Sequence, residues 1–470
     1  MTAATEGRNM HSPPHQHAEA STGGSGPEPS QDHGRHDGGT HDGGTHTEAA
    51  RGGGTKTAGH AARSVAAHRA AVQKLLTHLR SADRTETLPL GAALGKGLAQ
   101  DVTAPVSLPP FANSQMDGFA VNTADLPDGG AELRVVDPVP AGAIPARLET
   151  GTAAPIMTGA MIPAGADAVV PVERAVPDRF PLPGTGNEDH AGNRENTVWL
   201  PSTAAGTFVR SVGSDVPAGE RALAAGTFLG PAQLGLLAAL GIAEVTVYRP
   251  VTVLLVTTGD EVVEPGQPLR EGKIYDANGT LLESAMRQAG LSVLRTGIST
   301  DRPEELRAVL RANRPVADLI VTTGGVSKGA YEVVRQAMEE QPAEFLHVAM
   351  QPGGPQGIGT FDAVPFLGFP GNPVSCLVSF EMFLRPVLSG LFGSPAPRIP
   401  VRARLAHGLT SPEHKHQVRR GSLGADGTVR LEGGESSHLM HALAGSNALV
   451  HVPEGVAALA AGDEVEVWML

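Results

Sequence analysis

Apolar residues in this chain fall into runs whose period changes along its length. From Ser64, the positions Val65, Val72, Leu75, Leu76 and Leu79 recur at helical spacing, and Ser64 is placed to cap the helix they predict. A Pro-rich extended segment, APVSLPPFANSQMDGFAV, follows at 104–121. From 132 to about 210, short runs broken by turn residues predict a mostly β region with a loop over 177–196. A helix at 231–240 and a strand at 245–248 then lead into a different rhythm. Between 251 and 396, β-rich runs at 251–257, 291–294, 317–322 and 364–369 alternate with helical patterns at 279–289, 303–313, 330–340 and 373–391. That alternation predicts a parallel sheet covered by helices. Beyond 397 the short period returns, with a turn at Asp426-Gly427 and the ending VEVWML, so a small β domain closes the chain.

Three of the predicted strands end in loops of small and polar residues: LLVTTGDE (254–261), LIVTTGGVSKGAYEVVR (319–335) and VPFLGFPGNPVS (364–375). Open α/β sheets keep their ligands at the carboxyl ends of neighbouring strands. The paired glycines at 324 and 325 allow close approach to the backbone, and successive free N–H groups there suit an oxyanion or phosphate. The loop is no nucleotide P-loop, because Gly329 is followed by Ala330 and Tyr331 where the template needs Lys and Ser or Thr. No GxGxxG follows any of these strands, which weakens a dinucleotide reading.

Composition narrows the choice. With 470 residues, the length prior is about three domains. A net charge of −13 argues against a surface for duplex nucleic acid or an anionic membrane, and 4% aromatic content against stacking platforms for single strands. An anionic substrate therefore needs local cations or a metal. The single cysteine, Cys376, excludes an internal disulfide and a thiolate zinc cluster, and its apolar helical setting reads as a buried structural thiol. No apolar run reaches the ~18 residues of a membrane span, and the N-terminus has no signal-peptide core, so a cytoplasmic location is expected. Residues 1–60, rich in Gly, His, Ser and Thr with HDGGT at 36–40 and again at 41–45, lack the apolar content to order themselves. Their histidines, His33, His36, His41 and His46 among them, could hold Ni, Cu or Zn loosely; a solvated tail is the simpler reading.

Several acids stand at the same sheet edge: Asp260, Glu261, Asp276, Asp301 and Glu332. Carboxylates around a phosphate-type loop suit a hard cation such as Mg²⁺, which takes oxygen ligands and bridges to phosphate. Each also has a plainer role: Asp301 with Glu304 reads as a helix-capping pair, and Asp276 as an N-cap. Asp117, in NSQMDGFAV, is equally a functional acid or half of an Asp-Gly turn. Asn372, between Pro370-Gly371 and Pro373, is placed to cap the helix that follows, leaving helix N–H groups at the same site.

Taken in order, PPFANSQMDGFAV, IMTGAMIPAGADAVV, VGSDVPAG, TTGDEVVEPGQPL, GKIYDANG, TTGGVSKG and GFPGNPVS resemble the molybdopterin molybdenumtransferase family, which includes the E domain of gephyrin-type proteins. The resemblance covers about 64–470 and implies four parts after the tail of 1–60. These are an N-terminal domain split between 61–105 and 215–250, a β domain inserted at 106–214, a MogA-like α/β molybdopterin-binding domain at 251–396, and a C-terminal β domain at 397–470. It implies insertion of molybdate into the dithiolene of adenylylated molybdopterin, with release of AMP and assistance from Mg²⁺. It also implies a homodimer, and admits the upstream molybdopterin adenylyltransferase as a partner.

Carried over position by position, the family's functional residues fall on Asp117, Thr158, Asp215, Glu261, Asp301, Glu332, Pro370, Pro373, Arg420 and Ser437. Glu261, Asp301 and Glu332 would form the metal–phosphate region, while Asp117, Thr158 and Asp215 would reach across the dimer. Thr323, Gly324, Gly325, Ser327, Gly371 and Asn372 would complete the binding surface with Pro370, Pro373, Arg420 and Ser437. The sequence departs from the family at His347, Gln351 and Gly354, where lysines are common in an oxyanion-binding segment. Charge-assisted bonds are about twice as strong as neutral ones, so capture of a dianion would fall to Arg420, Ser437 and Lys328. Two other readings stay open: a molybdopterin adenylyltransferase, and a non-catalytic cofactor-binding or scaffold protein.

Overall fold

The computed structural model describes residues 62–180, 196–297, 301–326 and 332–470. The chain divides into two units, Met1–Gly59 and His60–Leu470. The expectations for 1–60 and for Ser327 and Lys328 lie outside the described residues, as does most of the loop expected at 177–196.

In the second unit the first helix is Val65–Leu76, and Ser64 Oγ accepts the Ala67 N–H at 3.2 Å as its cap. Two stretches far apart in sequence then pair: Thr85–Pro89 lies antiparallel to Glu244–Tyr248, and Val102–Thr103 to Arg221–Leu223. Between them lies a five-stranded sheet in the order Ala168–Pro171, Gly118–Val121, Thr152–Ile156, Ala131–Val135, Thr197–Leu200. Separate apolar clusters around Phe119 and Ile156 support it.

The central sheet has six strands, in the order Ser292–Arg295, Thr252–Thr257, Leu319–Thr323, Val364–Phe369, Pro355–Phe361, Ala343–His347. The first four are mutually parallel, as the alternating pattern predicts. The last two were not anticipated: Pro355–Phe361 runs antiparallel to both of its neighbours, which makes the sheet mixed, and Ala343–His347 beyond it points the same way as the first four. Strand Leu319–Thr323 is buried throughout because both faces are covered. Leu319 and Val321 join the cluster shared with the N-terminal helix and the helix after Pro373, whereas Ile320 packs with Leu306, Leu310, Val333 and Phe366 on the other face. Of the helix expected at 330–340, the described residues from 332 onward hold one short helix, Val333–Ala337.

Pro373–Phe392 is a continuous 20-residue helix, long and apolar enough by composition to cross a membrane. It is mostly buried within the protein and carries a charge pair, Glu381–Arg385, so it is a core helix. A π-helical turn, Phe380–Leu384, interrupts its α-helical hydrogen bonding.

The C-terminal β region closes on itself. His416–Leu423 pairs with Thr428–Leu431 and with Ala448–Val452, and Pro400–Leu405 and Glu464–Met469 complete a five-stranded ring around Val429, Val450 and Val467. Closure leaves no bare sheet edge in the ring. A two-residue strand from the α/β part, Met350–Gln351, adds itself parallel to His416–Gln417, stitching the barrel to the central sheet.

Candidate active site

Registers in the central sheet align Thr257 with Thr323 and Thr323 with Phe369, so three loops leave the sheet side by side. Together with Gln351, Pro352 and Gly353 and the barrel loop 435–438, they line a cavity of about 1070 Å³. The cavity gathers Glu261, Asp301, Thr323, Gly324, Gly325, Glu332, Pro370, Gly371, Asn372, Pro373 and Ser437. Residues drawn from loops more than 170 positions apart thus share one wall.

The glycine loop is built for close approach. Gly324 has φ +94°, and a Cβ there would fall 3.1 Å from the Thr258 carbonyl oxygen, so a side chain would strain the turn and crowd the adjacent loop. Its N–H, however, is donated to the Phe369 carbonyl at 3.1 Å, so this amide is not the free anion donor that the sequence suggests. Asn278, which sequence reasoning did not single out, locks the loops together. Its Nδ2 donates to Thr323 Oγ1 at 3.0 Å and to the Gly371 carbonyl at 2.6 Å. The only signal for it was its place in the GKIYDANG motif. Cys376 closes the same network from beneath: its thiol lies 2.7 Å from the Pro370 carbonyl, and complete burial pushes its pKa up to about 12, consistent with an unreactive structural thiol.

The acids divide by role. Asp276 is the cap of Ala277–Gln288: Oδ1 accepts the Gly279 N–H at 2.8 Å, and Oδ2 takes Arg295 Nη2 at 2.8 Å. Asp301 is no cap. The N-cap of Pro303–Asn313 is Arg302, and Asp301 Oδ2 instead accepts the Asp260 N–H across the loop at 3.1 Å. Asn372 occupies an N-cap position but makes no side-chain capping bond. The first amide after Pro373, on Val374, is donated to the Ser437 carbonyl at 3.1 Å, so it ties the barrel to the helix instead of facing a ligand.

Glu261, Asp301 and Glu332 all reach the cavity, but among the described residues no three His, Cys, Asp or Glu side chains converge as a ready-made metal cage. One or two carboxylates on an open cavity still fit Mg²⁺, which completes its shell with water and substrate phosphate oxygens. The donor set is therefore compatible with a cation held jointly with substrate.

Where the resemblance implies lysines, the wall is different. Gln417, fully buried, donates through Nε2 to Gln351 Oε1 at 2.9 Å and to Glu435 Oε2 at 3.3 Å. A Cβ on Gly354 would come within 2.5 Å of the His347 ring. Among the described lining residues there is no Lys or Arg, and His438 is the only basic side chain. Arg420 lies behind this wall, 2% exposed, with its guanidinium donating to the carbonyls of Gly434 and Ser436. It fixes the backbone that presents Glu435, Ser436 and Ser437, and does not itself line the cavity.

Asp117, Thr158 and Asp215 are exposed and lie outside this cavity. Asp117 Oδ1 accepts the Thr158 N–H at 2.6 Å and its hydroxyl at 2.8 Å. These bonds, the amide first, hold the Asp117 carboxyl below the usual range.

Comparison with known proteins decides the family. The chain matches the models for the MoeA N-terminal region (domain I and II) at residues 63–241, a probable molybdopterin binding domain at 254–390, and the MoeA C-terminal region (domain IV) at 402–470. It is 42% identical over 422 residues to molybdopterin molybdenumtransferase 2 of Mycobacterium tuberculosis, covering 87% of this chain and 100% of that protein. The chain belongs to the molybdopterin molybdenumtransferase family. A second molybdopterin molybdenumtransferase, from Haemophilus influenzae, is 33% identical over 402 residues, covering 84% of this chain and 96% of its own length. Among solved structures, a molybdopterin biosynthesis moeA protein from Pyrococcus horikoshii superposes with TM-score 0.72 at 26% identity, covering 86% of this chain and 99% of that one. The multidomain fold with its MogA-like α/β part and closed barrel is thus that of the molybdopterin molybdenumtransferases.

Proposed function

We propose that this chain is the transferase that inserts molybdenum in molybdenum cofactor biosynthesis, as its relatives are named to do. It takes adenylylated molybdopterin and molybdate as substrates. The observation that carries this reading is the single cavity in which the strand-end acids Glu261 and Asp301, the Gly324-Gly325 turn and the Ser437 loop of the barrel meet.

In the reaction, water attacks the phosphoanhydride of the substrate and AMP leaves, while the two dithiolene sulfurs displace oxygen from molybdate, which departs as water with the thiol protons, and become bonded to molybdenum. Those sulfurs belong to the substrate, which is consistent with a chain whose one thiol is buried and held un-ionised. The Gly324 turn admits the substrate against backbone, and Asn278 keeps the Gly371 and Thr323 walls at fixed separation. Glu261 and Asp301, with Glu332 beside them, would hold Mg²⁺, which when bound screens phosphate charge and favours departure of AMP. Ser436 and Ser437 offer neutral donors at the end where the molybdate would sit.

The working form is a cytoplasmic homodimer with the four-part division 61–105 with 215–250, 106–214, 251–396 and 397–470. In it, Asp117, Thr158 and Asp215 face the cavity of the neighbouring subunit, and the upstream adenylyltransferase delivers the substrate. The test is AMP release by the full chain from adenylylated molybdopterin. Release should depend on both molybdate and Mg²⁺. Formation of adenylylated molybdopterin from ATP and molybdopterin, without any molybdate-dependent AMP release, would overturn the assignment.

A further inference from the structure

The loops after Thr252–Thr257 and before Pro303–Asn313 are joined by a reciprocal pair of bonds. The Asp260 N–H donates to Asp301 Oδ2 at 3.1 Å, and the Asp301 N–H donates to Asp260 Oδ1 at 3.1 Å. Each carboxylate therefore rests on the other residue's main chain. Neighbouring side chains in the first loop diverge. Glu261 lines the cavity, folded over Gly259 so closely that a Cβ there would fall 2.7 Å from Glu261 Oε2. Asp260 does not line it, and is spent on the neighbouring loop. Lys273 Nζ donates to the Asp260 carbonyl at 2.5 Å, which anchors the same residue from the other side. Of the Asp301 oxygens, Oδ2 is occupied by the Asp260 amide, while Oδ1 has no protein donor among the described residues.

We infer that Asp260 is the positioning residue of the cation-binding wall: its carboxylate seats the Asp301 backbone, and thereby directs Asp301 toward a divalent cation in the cavity. This deepens the proposed function and rests on it. What matters at position 260 is an acceptor oxygen at the end of a two-carbon reach. The charge itself does not touch the cation. The reasoning follows from general metal-site chemistry, in which partners that orient a ligand change metal affinity about 10–100-fold when removed.

The experiment titrates the full chain, saturated with AMP, with Mn²⁺ read by electron paramagnetic resonance of the free ion. Asp260→Ala should weaken Mn²⁺ binding about tenfold. Asp260→Asn, which keeps an acceptor in the same place, should stay within about twofold of the wild type. Asp260→Gln keeps the polarity but moves the acceptor by one methylene, and should resemble Asp260→Ala; it serves also if the alanine variant fails to fold. Asp301→Asn should lose affinity more than any of them, because it alters the group facing the cation. Equal losses in Asp260→Asn and Asp260→Ala would overturn the inference, by showing that the charge at 260 acts directly. Wild-type affinity in Asp260→Gln would overturn it as well. Failure of the wild type itself to bind Mn²⁺ would instead strike the proposed metal role, and the inference with it.

Discussion

Acid should loosen the C-terminal barrel through one buried histidine. His451 is 4% exposed, with Nδ1 at 3.0 Å from His416 Nε2, its ring 4.2 Å from that of Trp468, and Nε2 without a partner. Burial, then the neighbouring His416 and Arg69, lower its pKa from 6.5 to about 3. A base whose pKa is depressed by folding binds its proton more readily in the unfolded chain. Its contribution is therefore complete above pH 6.5 and shrinks as pH falls toward 3. At about pH 5 the unfolded imidazole has gained some 1.5 units of proton affinity that the folded one forgoes, which at about 1.4 kcal/mol per unit is about 2 kcal/mol. The assay is urea unfolding at about pH 7.5 and about pH 5, followed by Trp468 fluorescence in a Trp199→Phe background so that the barrel alone reports. His451→Leu should be less stable at both pH values, having left His416 unpaired, yet its loss between them should be smaller than the parent's by about 2 kcal/mol. A loss that matches the parent's would refute the reasoning and place the acid sensitivity elsewhere.

Two further outcomes are expected. Glu381→Gln should destabilise the core by about 3–5 kcal/mol in urea unfolding, because a fully buried carboxylate is removed from between Arg385, 2.8 Å away, and Arg398, 2.9 Å away; a cost near zero would show that the charges are already solvated. Arg420→Ala should raise the half-saturating concentrations of both molybdate and adenylylated molybdopterin, about tenfold or more, because it frees the Gly434–Ser436 backbone that shapes the wall. A change confined to molybdate would make Arg420 a direct anion ligand instead.

Much of this protein could be read before any coordinates. The strand and helix pattern of the central region is local information, since burial on one face of a helix or both faces of a strand imposes its own period on neighbouring residues. The strand-end motifs TTGDE, TTGG and GFPGNP were identifiable for the same reason, and the structure gathers them around one cavity. The Ser64 cap and the buried Cys376 were likewise legible, because each depends on residues within a turn or two of chain.

What tertiary structure alone decided are the pairings between distant segments. Periodicity marks which residues are buried but not what they face, so it could not show that 355–361 joins the sheet as a reversed strand with 343–347 paired beyond it, or that five C-terminal strands close into a ring. The same limit governs the side chains of the site. Asp301 looked like a cap because Glu304 stands three residues on, but its oxygen is claimed by an amide 41 positions away. Arg420 looked like an anion ligand, yet two carbonyls at 434 and 436 reach its guanidinium first. A polar group in a folded chain goes to whichever partner the packing brings within about 3 Å, and that partner has no fixed spacing in sequence.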